Sequence, residues 1–144
     1  MTGGEVVAEA RSWLGTPYRH QASAQGAGCD CLGLLRGVWR GLLGAEPERV
    51  PAYSPDWDEV AKDEVLARAA GRWLDSRAGE MMPGDVILFR MRADAVAKHL
   101  GICSAVGAHP RFIHAYSGHG VVESTLSAPW QRRVAGVFAF PGIA

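Results

Sequence analysis

At 144 residues, with 48% hydrophobic against 21% charged residues, the chain has the length and balance of one folded domain. That balance argues against disorder, a collagen-like repeat or a coiled coil. Fifteen Lys plus Arg offset fifteen Asp plus Glu, so no net field draws the chain to nucleic acid or to an anionic membrane. Three cysteines are too few and too oddly spaced for a disulfide framework, because Cys29 and Cys31 cannot bridge each other without severe strain.

Helical periodicity fills the first half. Thr2 and Glu5 have the capping-box spacing, Val6, Ala10, Trp13 and Leu14 share one face, and Gly15 with Pro17 ends the helix. The stretch GTPYRHQASAQGAGCD is a loop of Gly and small polar residues. Asp30 is placed to cap a second helix running to about Leu43, with Leu34, Leu35, Val38, Trp39 and Leu42 inward and Gly44 as its stop. A link, EPERVPAYSPDW, leads to a third helical region. There Asp56 and Glu59 repeat the capping spacing, and Leu66, Ala70, Trp73 and Leu74 face inward.

From Pro83 the period turns strand-like. Residues 85–91, 98–105, 111–116, 120–125 and 134–140 read as short strands separated by Gly or Pro, and connections this short imply antiparallel pairing. Helices followed by strands predict an α+β fold, a single domain whose N-terminal helices pack on one face of a C-terminal antiparallel sheet of about five strands.

The chemistry concentrates in GCDCLGLLRG. Cys31, directly after the cap residue, sits where free backbone N–H groups and the helix dipole stabilise a thiolate and can later donate to a tetrahedral oxyanion. Most free cysteines are simply small buried hydrophobes, so a base is needed before position means catalysis. Strand alternation supplies one: KHLGIC puts His99, Gly101 and Cys103 on one face, and RFIHAY puts Phe112, His114 and Tyr116 on one face. If Val106 and Gly107 form a two-residue turn, His99 lies directly opposite His114 with Cβ atoms about 5 Å apart, whereas a longer turn that shifts the register by one would separate the two faces. Together with Cys31 the pair predicts Cys-His-His nucleophilic catalysis.

The other candidates weigh less. The spacing of Cys29 and Cys31 does not suit a structural zinc site and no second cysteine pair exists, so neither a metal nor another cofactor is expected. Cys29 reads as a packed loop residue and Cys103 as a sheet residue near His99. His20 is a substrate contact or a solvent-exposed loop residue, and His109 and His119 are loop residues. Tyr53, Trp57, Tyr116 and Trp130 can wall a groove, though most such aromatics are core. GAGCDCLG lacks the Lys and the preceding strand of a phosphate loop.

Taken in order, WLGTPYRHQASAQGAGCDCLGLLRG, PGDVILF, KHLGI and FIHAYSG resemble the NlpC/P60 family of cysteine peptidases, which cut the stem peptides of bacterial peptidoglycan. The resemblance covers nearly the whole chain. It implies a papain-like fold with Cys31 as nucleophile, His99 as general base and His114 as the residue orienting it. Tyr18, with Asp30 and His20 nearby, falls on the oxyanion and substrate side. The bond implied joins the side-chain carboxyl of D-glutamate to the diamino acid of the stem. Leu32 departs from the family's usual Ser after the nucleophile, which points away from recognition of a free amino terminus and toward an endopeptidase. The segments PAYSPDW, FRMR and VVES look like the subgroup found among the tail genes of phages and gene transfer agents. The alternatives are a tail or baseplate structural or wall-binding component with vestigial catalysis, and an acyltransferase using the same thiol.

The N-terminus shows no basic start followed by an apolar run, and no 18 apolar residues come in succession. A wall substrate therefore calls for a carrier. The tail resemblance implies a virion-associated enzyme, made in the bacterial cytoplasm and acting on the wall in the periplasm, without membrane insertion or nucleic acid. Tail-tip or baseplate proteins would be its partners, held by the link from Ala45 to Asp58 or by the C-terminal FPGIA.

Overall fold

The computed structural model describes residues 1–48, 65–92 and 94–143. Helix α1 spans Gly3–Arg11 and begins with the full capping box: the Thr2 hydroxyl accepts from the Glu5 N–H, and the Glu5 carboxylate accepts from the Thr2 N–H. Two short strands, β1 (Ser23–Ala24) and β2 (Gly28–Cys29), form a separate antiparallel ribbon ahead of α2 (Cys31–Leu43). Helix α3 covers Val65–Trp73. Six strands then build one antiparallel sheet: β3 (Asp75–Ser76), β4 (Val86–Phe89), β5 (His99–Ala105), β6 (Arg111–Tyr116), β7 (Gly120–Thr125) and β8 (Val134–Ala139), in the order β3-β8-β4-β5-β6-β7. A four-residue helix, α4 (Ala128–Gln131), precedes the last strand.

Alternation along the strands divides the core. Val86, Ile102, Ile113 and Ala115 meet Val6 and Ala10 of α1 and Leu34 and Val38 of α2, all buried. Ile87, Phe89, Cys103 and Phe112 point the other way and are covered by Leu126, Trp130 and Val134. Helices α1 and α2 thus cover one face as expected. The opposite face is closed by the segment that carries α4, which the strand-like reading of the second half passed over. Two charge pairs tie the edges: Arg11 of α1 holds Glu123 of β7 through two bonds of 3.1 and 3.0 Å, and Arg77 holds the buried Asp85 at 2.9 and 2.6 Å. No helix among the described residues is long and apolar enough to cross a membrane.

Several expectations need correction. Among the described residues the sheet has six strands, because the two-residue β3 is too short to leave a periodic signal. Leu14 and Trp73 do not join the core; they are 42% and 38% exposed, since α1 has already ended at Arg11 and Trp73 closes α3. The C-terminal FPGIA is not a free tail, because Phe140 is fully buried and Ile143 packs against the main core. The Asp56 and Glu59 cap, Tyr53, Trp57 and most of the link lie outside the described residues.

Just after α1, Trp13 lies on Gly37 of α2, and a Cβ built at Gly37 would collide with the indole ring. Gly37→Ala should lower stability by about 1–3 kcal/mol through overpacking. Gly71→Ala, whose Cβ would meet open space on α3, should raise it by up to about 1 kcal/mol. Urea unfolding of both variants checks the contrast.

Candidate active site

The site begins with a buried carboxylate. Asp30 takes an extended conformation before α2 and is 2% exposed; one of its oxygens accepts from Gly33 N–H at 2.7 Å, closing the first turn. The other accepts from Gln21 N–H, also at 2.7 Å. Gln21 is the one described non-glycine residue with positive φ, at 65°, and that turn carries its N–H to Asp30. Gly33 is required because a side chain there would strike the Ala22 carbonyl. The loop is thereby strapped across the start of α2, and Cys31 becomes the first helical residue.

Cys31 faces the beginning of β5. Its thiol donates to the Lys98 carbonyl at 3.8 Å and is also within reach of the Leu100 N–H, so the sulfur touches the backbone on both sides of His99 in the chain. Burial pushes the thiol up to about 12, and the Asp30 charge pushes the same way. The N–H groups of Leu100, Leu32 and Cys31 pull it down but are outweighed. Withdrawing the sulfur from water thus opposes the thiolate that the helix end favours.

On β5 and β6 the two histidines meet directly. His99 Nε2 lies 2.9 Å from His114 Nδ1, and His114 Nε2 lies 3.1 Å from Ser124 Oγ on β7. The register differs from the simple hairpin. Ile102 pairs with Ile113 and a bulge follows Cys103, so Gly101 rather than His99 falls opposite His114. The shift is two positions, an even number, and both rings keep the same face. Gly101 makes the diagonal contact possible, since a Cβ there would crowd Phe112 and His114. Phe112 and Tyr116 lie along the His114 ring at 4.2 and 5.2 Å, and Trp130 stands edge-on at 5.2 Å. Trp130 also covers His99 at 5.7 Å. Burial under these rings lowers His99 to about 4 and His114 to about 3, the latter helped by the neighbouring His99 and His119. Burial thus favours the neutral form of the thiol and of both imidazoles.

A model of the NlpC/P60 family matches residues 15–139, which include every residue of this arrangement. The chain belongs to the NlpC/P60 family. Members of this family are cysteine peptidases. Among NlpC/P60 relatives, the chain is 27% identical over 124 residues to the probable endopeptidase NlpC of Escherichia coli strain K12, covering 85% of this chain and 68% of that protein. It is 28% identical over 142 residues to the gamma-DL-glutamyl hydrolase of Bacillus subtilis strain 168, covering 96% of this chain but only 29% of that longer protein. The fold is shared with the NlpC/p60 domain of the peptidoglycan hydrolase SagA, with a TM-score of 0.67 at 20% identity over 97% of this chain and all of that one. It is shared too with an NLP/P60 family protein of Staphylococcus aureus Mu50 described as similar to lipoprotein, with a TM-score of 0.64 at 23% identity over 99% of this chain and 41% of that one.

Within this NlpC/P60 domain the remaining sequence candidates separate. Tyr18 bridges to Cys29 beside the site, and its hydroxyl is pushed up to about 12 by burial first and by the neighbouring Cys31, Asp30 and Cys29 next, so it stays a donor. Asp30 is placed by the sequence on the substrate side; its carboxylate is instead engaged by backbone N–H groups beneath the loop. His20 leans over Asp30, 3.9 Å from its carboxylate, and contacts Gln21 at 3.2 Å, on the loop rather than against the His99 and His114 rings. Cys29 is buried in the helix-side core and Cys103 in the opposite one, while His109 and His119 are exposed. Ser124 escaped the sequence reading, because a serine in VVEST carries no signal until β7 is placed beside β6.

The lowered histidines have a consequence for stability. With an ordinary value near 6.5 in the unfolded chain and about 4 and 3 in the folded one, the unfolded state binds more protons between these limits. Stability should be complete above about pH 6.5 and fall as pH drops, by up to about 1.4 kcal/mol per pH unit for each ring. Urea midpoints at pH 7, 6 and 5 measure the slope. Trp130→Ala should raise both values toward 6.5 and flatten it.

Proposed function

We propose that this chain is a peptidoglycan endopeptidase that opens stem-peptide amide bonds through Cys31. The observation carrying the proposal is the seating of the Cys31 thiol across the backbone on either side of His99, with His99 in turn bonded to His114. His99 Nε2 is taken by His114, so Nδ1 is the nitrogen that receives the thiol proton as sulfur attacks the amide carbon. The Tyr18 hydroxyl and the Cys31 N–H at the helix start stabilise the oxyanion. The imidazolium then returns its proton to the leaving amine. Water, deprotonated by His99, cleaves the thioester, and the thiol is restored as the carboxylate product leaves.

For the bond, the proposal names the link from the D-glutamyl side-chain carboxyl to the diamino acid, in keeping with the gamma-DL-glutamyl hydrolase relative. Internal cleavage is favoured by Leu32, which packs with Leu66, Leu88, Ala97 and Leu100 and so offers an amino terminus no hydroxyl. We also propose the setting: a phage-like tail that carries the enzyme to the wall from the cytoplasm where it is made. This rests on the resemblance of PAYSPDW, FRMR and VVES to tail-encoded members of the family.

Mass spectrometry of purified sacculi after incubation should show new free carboxylates with the wild-type chain and none with Cys31→Ala. Cys31→Ser should keep the fold and lose activity. Equal cleavage by Cys31→Ala would remove Cys31 as nucleophile, no cleavage by the wild-type chain would leave a structural or wall-binding role, and a new amide or ester in place of carboxylate would mean acyl transfer. Absence of the chain from purified particles, with free enzyme in the cytoplasm, would refute the tail assignment.

A further inference from the structure

The hydrogen-bonded chain from the histidines ends on a residue that no part of the proposed reaction yet uses. His114 is 1% exposed, its Nδ1 faces His99, and its Nε2 lies 3.1 Å from the Ser124 hydroxyl. Ser124 stands opposite Phe112 and so diagonal to His114, whose own partner on β7 is Val122. Aromatic neighbours on both sides of the His114 ring hold its plane. What they cannot decide is which nitrogen carries the proton, because their contacts are with the faces and edge of the ring.

Two arrangements of the neutral pair satisfy the bond between the rings. In the first, both protons are on Nε2: His99 donates to His114, His114 donates to Ser124, and His99 Nδ1 is bare. In the second, both protons are on Nδ1: His114 donates to His99, and His99 presents an N–H toward the thiol. Only the first can accept the proton of Cys31. Without a hydroxyl at position 124 the first arrangement strands a buried N–H, whereas the second leaves only a bare nitrogen, the lesser cost. A hydroxyl also tolerates the second arrangement by donating, so its effect is to remove the orphan that would otherwise disfavour the first.

We infer that Ser124 is a positioning residue that keeps His114 in its Nε2–H form and thereby keeps His99 Nδ1 open as the base. The inference rests on the proposed roles of Cys31 and His99. Ser124→Ala should lower kcat about tenfold, the worth of one hydrogen bond in a buried chain, with KM unchanged. In histidine-selective 15N NMR of the same variant, His114 should move from the Nε2–H toward the Nδ1–H pattern. Ser124→Thr, which keeps the hydroxyl, should restore both readouts.

Wild-type kcat in Ser124→Ala, or a loss of kcat with the His114 tautomer unchanged, would overturn the inference and make Ser124 at most a packing residue. Cys31→Ala measured alongside separates the two levels. Full activity in that variant overturns the catalytic reading and this inference with it, whereas an inactive Cys31→Ala beside a fully active Ser124→Ala overturns this inference alone.

Discussion

Everything at the candidate site depends on where α2 begins, and that is set by one buried carboxylate. Asp30 accepts from Gly33 N–H inside the helix and from Gln21 N–H outside it. One acid thus terminates the preceding loop and starts the helix in the same place. A helix starting one residue later would turn Cys31 by about 100° away from β5. The loop accepts local strain for this, since Gln21 adopts a backbone conformation that glycine adopts at little cost.

The second constraint is burial, and it shapes the electrostatics more than the helix end does. The thiol and both imidazoles are all driven toward their neutral forms by the loss of water, from the Cys31 side by α2 packed on β5 and from the histidine side by Trp130 and its neighbours. In the proposed mechanism a site that rests neutral stores no ion pair, and the proton moves when the substrate arrives. It also ties the site to the fold, because the groups poised for proton transfer are those whose burial is harmed by acid.

The two sides of the sheet divide the labour. Helices α1 and α2 bury the face bearing Ile102 and Ile113, while the histidines look out from the opposite face. Cys31 reaches the start of the histidine strand because His99 is the first residue of β5, at the end where α2 passes, and the thiol lies against the neighbouring Lys98 carbonyl. Residues farther along β5 on the same face, such as Cys103, lie out of reach and are simply core.

The sequence by itself determined the main helices and strands and their order, though not the short β1, β2 and β3 or the α4 turn. The Thr2 and Asp30 caps, the helix from Cys31 to Leu43, and the strands at 99–105, 111–116 and 120–125 are local events, governed by spacing of two to four residues along the chain. It also placed His99 and His114 on one face, since alternation survives any even change of register. Tertiary structure alone decided the rest: the bulge after Cys103 that sets His114 against Gly101, the closing of the histidine face by Trp130, the bond from His114 to Ser124, and the raised thiol of Cys31. Each depends on contacts between residues distant in sequence or on exclusion of water. No residue carries either in its own identity, and so a helix-end cysteine whose position favours a thiolate is pushed toward the neutral thiol once β5 is laid against it.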